Sequence, residues 1–141
     1  MHRALYIGSL FLLLLPAACK KGGCNVVPYV PVNRIPFSTT EFPELLNVNG
    51  SIVLPGGYAG IIVFNTGSRI VAYDRCSTVD PGQRHAVEAS TSNPFVAVDP
   101  YSKAEFFLMD GSPSNLAECP LKSYAVEHVG GEFSPIYYIV N

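Results

Sequence analysis

Cys76-Ser77-Thr78, His85, Glu88 and the run Asp99-Pro100-Tyr101-Ser102-Lys103 are the residues whose types and spacing come nearest to a chemical site in this sequence. Thiolates, imidazoles and carboxylates are the common protein ligands of metals, and a closed site draws on three or four of them together. His85 with Glu88 and Asp99 is one conceivable set, against the plainer alternative that His85 is an ordinary surface or core residue. Asp99 to Ser102 has the outline of a cofactor loop without the residues that would hold a cofactor, and Phe106 to Pro113 looks like a short strand running into a turn. No Gly-x-Ser-x-Gly, His-Glu-x-x-His or Cys-x-x-Cys motif occurs. The glycine pair in Leu54-Pro55-Gly56-Gly57 joins two strand-like runs. A phosphate-cradling loop needs a helix after it and usually a lysine, so this pair is expected to be a turn.

A chain of 141 residues, 48% hydrophobic and 14% charged, can bury one core and is too short for two ordinary domains. Twelve Gly, twelve Pro, eight Tyr and eight Phe, scattered along it, favour many short strands joined by turns. The formal net charge of −2 gives no pull toward nucleic acid or anionic lipid.

The N-terminus sets the compartment. Met1-His2-Arg3 is a short positive region, and the apolar run from Ala4 to Leu15 falls short of the ~20 residues of a membrane span, as in a secretory signal over residues 1–18. Leu15-Pro16-Ala17-Ala18-Cys19 places small residues before a cysteine as a bacterial lipobox does, with Pro16 an unusual occupant. Cys19 is the expected lipidated first residue of the mature chain. The alternatives are a plain secretory signal cut nearby, or Cys24, which Lys20-Lys21-Gly22-Gly23 separates from the apolar run. Residues 1–18 hold one basic residue, Arg3, and no acid, so nine Lys+Arg fall to eight against eleven Asp+Glu, a net −3. Two or more acyl chains on Cys19 are enough for stable anchoring. Of the remaining cysteines, Cys24, Cys76 and Cys119, any two could bridge outside the cytoplasm; three at wide spacing do not define a framework, and a Cys76–Cys119 bond is one possibility.

The elements that must position these residues are short. Residues 19–46 are expected to form a lipid-anchored tether and lead-in strand, with Pro28 and Pro31 favouring an extended chain in Val27-Pro28-Tyr29-Val30-Pro31-Val32-Asn33. Residues 37–47 could hold a helical turn capped by Ser38 or Thr39, interrupted by Pro43. Residues 47–141 then form one β-domain. Strands are expected at 51–54, 60–64, 69–73, 87–89, 95–98, 105–108, 124–127 and 136–140. Asn65-Thr66-Gly67-Ser68 is a hairpin signal, because Asn and Gly accept positive φ, and Gly130-Gly131 joins the last pair. About eight strands in so short a domain point to an all-β fold, a small antiparallel sandwich or barrel with short helices or none.

Four separated segments carry a resemblance. Gly60-Ile61-Ile62-Val63-Phe64, Ala72-Tyr73-Asp74-Arg75-Cys76, Asp99-Pro100-Tyr101-Ser102 with Phe106 to Ser112, and Pro120-Leu121-Lys122-Ser123-Tyr124 stand in the order of a Rieske-type iron–sulfur domain. Over residues 26 to 141 the chain resembles most the small Rieske-like lipoproteins of Bacteroidota, which share the signal-plus-cysteine start and the tether. The resemblance implies a Rieske-like β-sandwich and a place for a [2Fe-2S] cluster held by Cys-x-His in one loop and Cys-Pro-x-His-Gly in a second. At the four ligand positions stand Cys76, Thr78, Asp99 and Ser102, with Lys103 in place of the glycine, where its side chain would crowd the loop. Three soft or imidazole ligands are replaced by oxygen donors, so no cofactor and no metal are expected. The resemblance also implies an envelope address, the periplasmic face of an outer membrane before the outer surface, because Lys20 to Gly23 lack an acidic stretch. The expected role is that of a binding or structural module contacting an envelope protein through the two loops or the tyrosine-rich strands, not an enzyme; a [2Fe-2S] electron carrier with atypical ligands is the alternative.

Overall fold

The computed structural model describes residues 23–131 and 135–141. The signal segment, Cys19 and the residues up to Gly22 lie outside the described residues. Ten strands are present: β1 (Ile35–Ser38), β2 (Ser51–Leu54), β3 (Ile61–Asn65), β4 (Ile70–Asp74), β5 (Glu88–Ala89), β6 (Val96–Val98), β7 (Glu105–Phe107), β8 (Pro113–Asn115), β9 (Ser123–Val129) and β10 (Ile136–Val140). Two short 3-10 turns, Pro43–Leu46 and Pro81–Gln83, are the helical elements of the described residues. No helix among them is long and apolar enough to cross a membrane. The fold is all-β, with a curled six-stranded antiparallel sheet in the order β1-β10-β9-β4-β3-β2 and a four-stranded sheet in the order β5-β6-β7-β8.

Strand β3 explains how the two sheets meet. Its run Ile61-Ile62-Val63-Phe64 is apolar without alternation, and all four side chains are buried. Successive side chains of a strand point to opposite faces, so such a run needs cover on both. Ile61 and Val63 enter one core with Phe37, Leu45, Ile52, Leu54, Ala72 and Ile139, inside the curl of the large sheet. Ile62 and Phe64 enter a second core with Val71, Tyr73, Val87, Ala97, Phe106 and Leu108, under the small sheet. Strand β4 splits in the same way, with Ala72 in the first core and Val71 and Tyr73 in the second.

The expected hairpin joins β3 to β4. Gly67 takes φ +90°, its N–H donates to the Asn65 side-chain oxygen at 2.7 Å, and Thr66 N–H reaches Arg69 O at 2.9 Å. Strands β9 and β10 pair from Val129↔Ile136 to Ala125↔Val140, as the last expected pair.

Three expectations change. The lead-in segment belongs to the domain: β1 pairs with β10 (Phe37↔Tyr137), and Val27, Val32 and Phe37 are buried, so the body begins near Cys24 rather than at residue 47. Pro43 starts a helical turn instead of interrupting one, because the first helical position has no need of its N–H. Cys24 bridges Cys119 across 95 residues with Cα atoms 5.2 Å apart, while Cys76 is a buried free thiol. The Cys76–Cys119 possibility therefore does not hold.

Candidate functional site

Strand β4 delivers the first loop. It ends at Asp74, whose carboxylate is fully buried and accepts from the N–H groups of Tyr58 (2.5 Å), Ala59 (3.1 Å) and Cys76 (2.9 Å) and from the Tyr124 hydroxyl (2.7 Å). Gly57, at φ +61°, makes this possible, since a Cβ there would come within 2.5 Å of the Asp74 carboxylate and 2.6 Å of the Tyr124 oxygen. Burial and the Asp74 carboxylate push the Tyr124 phenol well above its usual range. Sequence reasoning assigned Asp74 no role; the signal that could have found it is an acid closing an apolar strand, opposite the Pro-Gly-Gly turn.

Cys76 follows, with no exposed surface. Its Sγ lies 3.4 Å from Ser77 O and 3.6 Å from Pro81 O. Burial first, then the charges of Asp74 and Asp99, push the thiol up to about 11, against a lowering influence of Arg84. At neutral pH it is a protonated thiol. Thr78 donates from Oγ1 to the Cys119 carbonyl at 2.7 Å.

The second loop connects β6 to β7. Asp99 is fully buried and accepts from the Tyr101 N–H (2.9 Å) and the Ser102 hydroxyl (2.5 Å), while Lys103 N–H closes the turn on Asp99 O at 2.9 Å. Desolvation raises the Asp99 pKa, but hydrogen bonds from Ser102, Tyr101 and Ser77 outweigh it and hold the carboxyl below its ordinary value. Lys103 adopts the left-handed conformation, φ 64°, that a glycine takes without strain, and its Nζ folds back onto Pro100 O at 2.6 Å. The expected crowding is thus avoided by turning the side chain outward.

The two loops meet. Ser77 of the first lies near enough to help hold the Asp99 carboxyl of the second below its ordinary value, and His85 stacks on Tyr101 with ring centroids 4.0 Å apart. His85, Glu88 and Asp99 are not gathered as ligands: among the described residues no group of three or more His, Cys, Asp or Glu is placed to hold a metal. Glu88 lies exposed in β5.

A second feature lies at the other end of the large sheet. A groove of about 500 Å³ runs beside the β3–β4 turn and is lined by Leu45, Asn65, Arg69, His128 and Tyr137 among others, with no acid among the described residues that line it. Phe37, Tyr137 and His128 stack in succession beneath and along it, at 5.2 and 5.0 Å. Volumes of this size suit small ligands or a peptide side chain. The chain matches no protein-family model, no curated protein and no solved structure.

Proposed function

We propose that this chain is a lipid-anchored protein of the cell envelope whose Rieske-like domain holds no cluster and acts as a binding module. The order of the four resembling segments, and the meeting of the two loops at one end of the large sheet, support the Rieske-like part. The observation that carries the cluster-free part is the state of Asp99. Its oxygens accept from Tyr101 N–H and the Ser102 hydroxyl, so the second loop is held closed by its own residues. The donor set does not fit a two-iron cluster either. Cys76, Thr78, Asp99 and Ser102 offer one buried thiol, two hydroxyls and a carboxylate, where the Rieske arrangement takes two thiolates and two imidazoles.

With the loops closed on themselves, partner contact falls to the groove on the tyrosine-rich strands. Arg69 and His128, with no acid among the described residues lining the groove, suit a protein segment carrying a carboxylate. The membrane is the periplasmic face of an outer membrane, reached through Cys19.

Two measurements test this. Mature protein made with ample iron and sulfide should be colourless and iron-free; about two irons per chain, with a Rieske-type electron paramagnetic resonance signal after reduction, would overturn the cluster-free assignment in favour of electron transfer. A photo-crosslinking residue at Ser68 should trap an envelope protein in cells, and Arg69→Glu should abolish the adduct while substitutions from Asp99 to Lys103 leave it unchanged. The reverse pattern would place the partner on the loops.

A further inference from the structure

The disulfide joins the start of the described chain to the end of the domain where the loops meet. Cys119 lies just before Pro120 to Lys122, and Lys122 O accepts from Asp74 N–H at 2.8 Å, so this segment sits at the Asp74 end of β4. Thr78 of the first loop bonds the Cys119 carbonyl, and Ser77 N–H bonds His85 O at 2.8 Å. Cys24, Cys119, Thr78, His85 and Tyr101 therefore form one connected chain of contacts at a single end.

From Cys19 to Cys24 the chain has five residue steps, which span at most about 18 Å when fully extended. With Cys24 stapled to Cys119, an anchor at Cys19 holds the loop end close to the bilayer and leaves the groove end outward. The two ends are separated by the length of β4, about 16 Å at 3.3 Å per residue, and by the longer β9.

The composition of the loop end suits that position. Tyr101 is 72% exposed and Leu116 66% exposed. Arg84 lies 4.6 Å over the Tyr58 ring, and the exposed Lys103 rests its Nζ on Pro100 O. The described charges of this end outside the buried Asp74 and Asp99 are Arg75, Arg84, Lys103 and Lys122 against Asp80, Glu88, Glu105 and Glu118, and the tether adds Lys20 and Lys21. Tyrosines with Lys and Arg around them are what a headgroup layer accommodates, with rings at the interface and cations against phosphate. Arg84, Lys103 and Leu116 hold left-handed backbone at φ 54°, 64° and 61°, so three side chains of this end are displayed at a conformational cost.

We infer that the loop end, with Tyr101, Leu116, Arg84 and Lys103 in contact, docks on the headgroup surface of the same membrane that carries the anchor. This rests on the assignment of Cys19 as the lipidated residue.

The chain has no tryptophan, so a single introduced one reports its own depth. Tyr101→Trp and Leu116→Trp at the loop end, and Ser68→Trp at the far hairpin, are made in full-length lipidated protein. Each is bound to vesicles of phosphatidylethanolamine and phosphatidylglycerol containing phosphatidylcholine brominated high on its acyl chains. Quenching should be at least about threefold stronger at Trp introduced for Tyr101 or Leu116 than at the hairpin, as expected for side chains seated 5–10 Å into the interface. Adding Arg84→Glu and Lys103→Glu together should reduce it. Complete flotation with the vesicles but equal, weak quenching at all three positions would overturn the docking and leave the anchor intact. Failure of the wild-type protein to float would overturn the anchor, and the docking with it.

Discussion

Asp74 and Asp99 are the two fully buried carboxylates among the described residues, and each is satisfied by groups of its own neighbourhood. Their roles differ. Asp74 fastens the Pro-Gly-Gly turn to β9 through Tyr58, Ala59 and Tyr124, so Asp74→Asn replaces an acceptor of four bonds by a group that must also donate. We expect a loss of about 2–4 kcal/mol, read from the denaturant midpoint, with Tyr124→Phe costing about 1–2 kcal/mol. Asp99 is a matter of pH. Its native pKa is depressed, so its contribution is fully present above the ordinary carboxylate value near 4 and is lost as pH falls through the lower native value. An acid titration of stability should therefore steepen below about pH 4, and Asp99→Asn should remove that part of the slope. Cys76 gives a chemical readout: with a thiol pushed up to about 11 and no exposed surface, it should resist alkylation in the native protein and, in a variant carrying Cys19→Ser, react as one thiol per chain after unfolding without reductant. Rapid native labelling would contradict this placement.

At the scale of elements, the strands most easily read in the sequence are those whose side chains all have to be buried. The run Ile61 to Phe64 admits little but a strand covered on both faces, and the Asn65–Ser68 turn fixes its partner. Strand β8 was not legible, because Pro113-Ser114-Asn115 has the composition of a turn; it is tolerated as the outer strand of the small sheet, where a missing N–H faces no neighbour. Strand β1 was displaced from the valine-rich tether to Ile35–Ser38 for a related reason: Pro36 hides an edge strand, while Pro28 and Pro31 extend a segment that only packs. At the site, the resemblance singled out both loops but not the closure on Asp99, which depends on a hydroxyl that composition leaves anonymous. The Cys24–Cys119 pairing was equally hidden, since sequence separation carries no information on Cα distance. Its consequence is measurable. Reduction, or Cys24→Ser with Cys119→Ser, should cost about 2–4 kcal/mol and expose residues 24–34 to protease, whereas the oxidised protein should be trimmed no further than Cys24. A resistant core beginning near Asn47 in the oxidised state would show that the lead-in segment does not hold.

At the scale of the whole molecule, the placement of the staple gives the domain a direction. One end carries the disulfide, the two closed loops and the exposed Tyr101 and Leu116; the other carries the groove beside the β3–β4 turn. On the proposed anchoring, Cys19, five residues before Cys24, holds the chain at the first end. Acylation of a thiol adds hydrocarbon worth about 0.8 kcal/mol per buried methylene, and two chains bind a bilayer stably where one does not. Among the described residues no helix is long and apolar enough to cross a membrane. Cys19→Ser should therefore release the protein almost entirely: after high-salt washing, the variant should be found as an unprocessed precursor or in the soluble envelope fraction, and the wild type in the membrane pellet until detergent is added. Cys24→Ser should remain in the pellet, which separates the anchor from the staple. If Cys19→Ser instead pelleted like the wild type, the attachment would have to lie elsewhere in the chain, and the direction assigned to the domain would lose its fixed point.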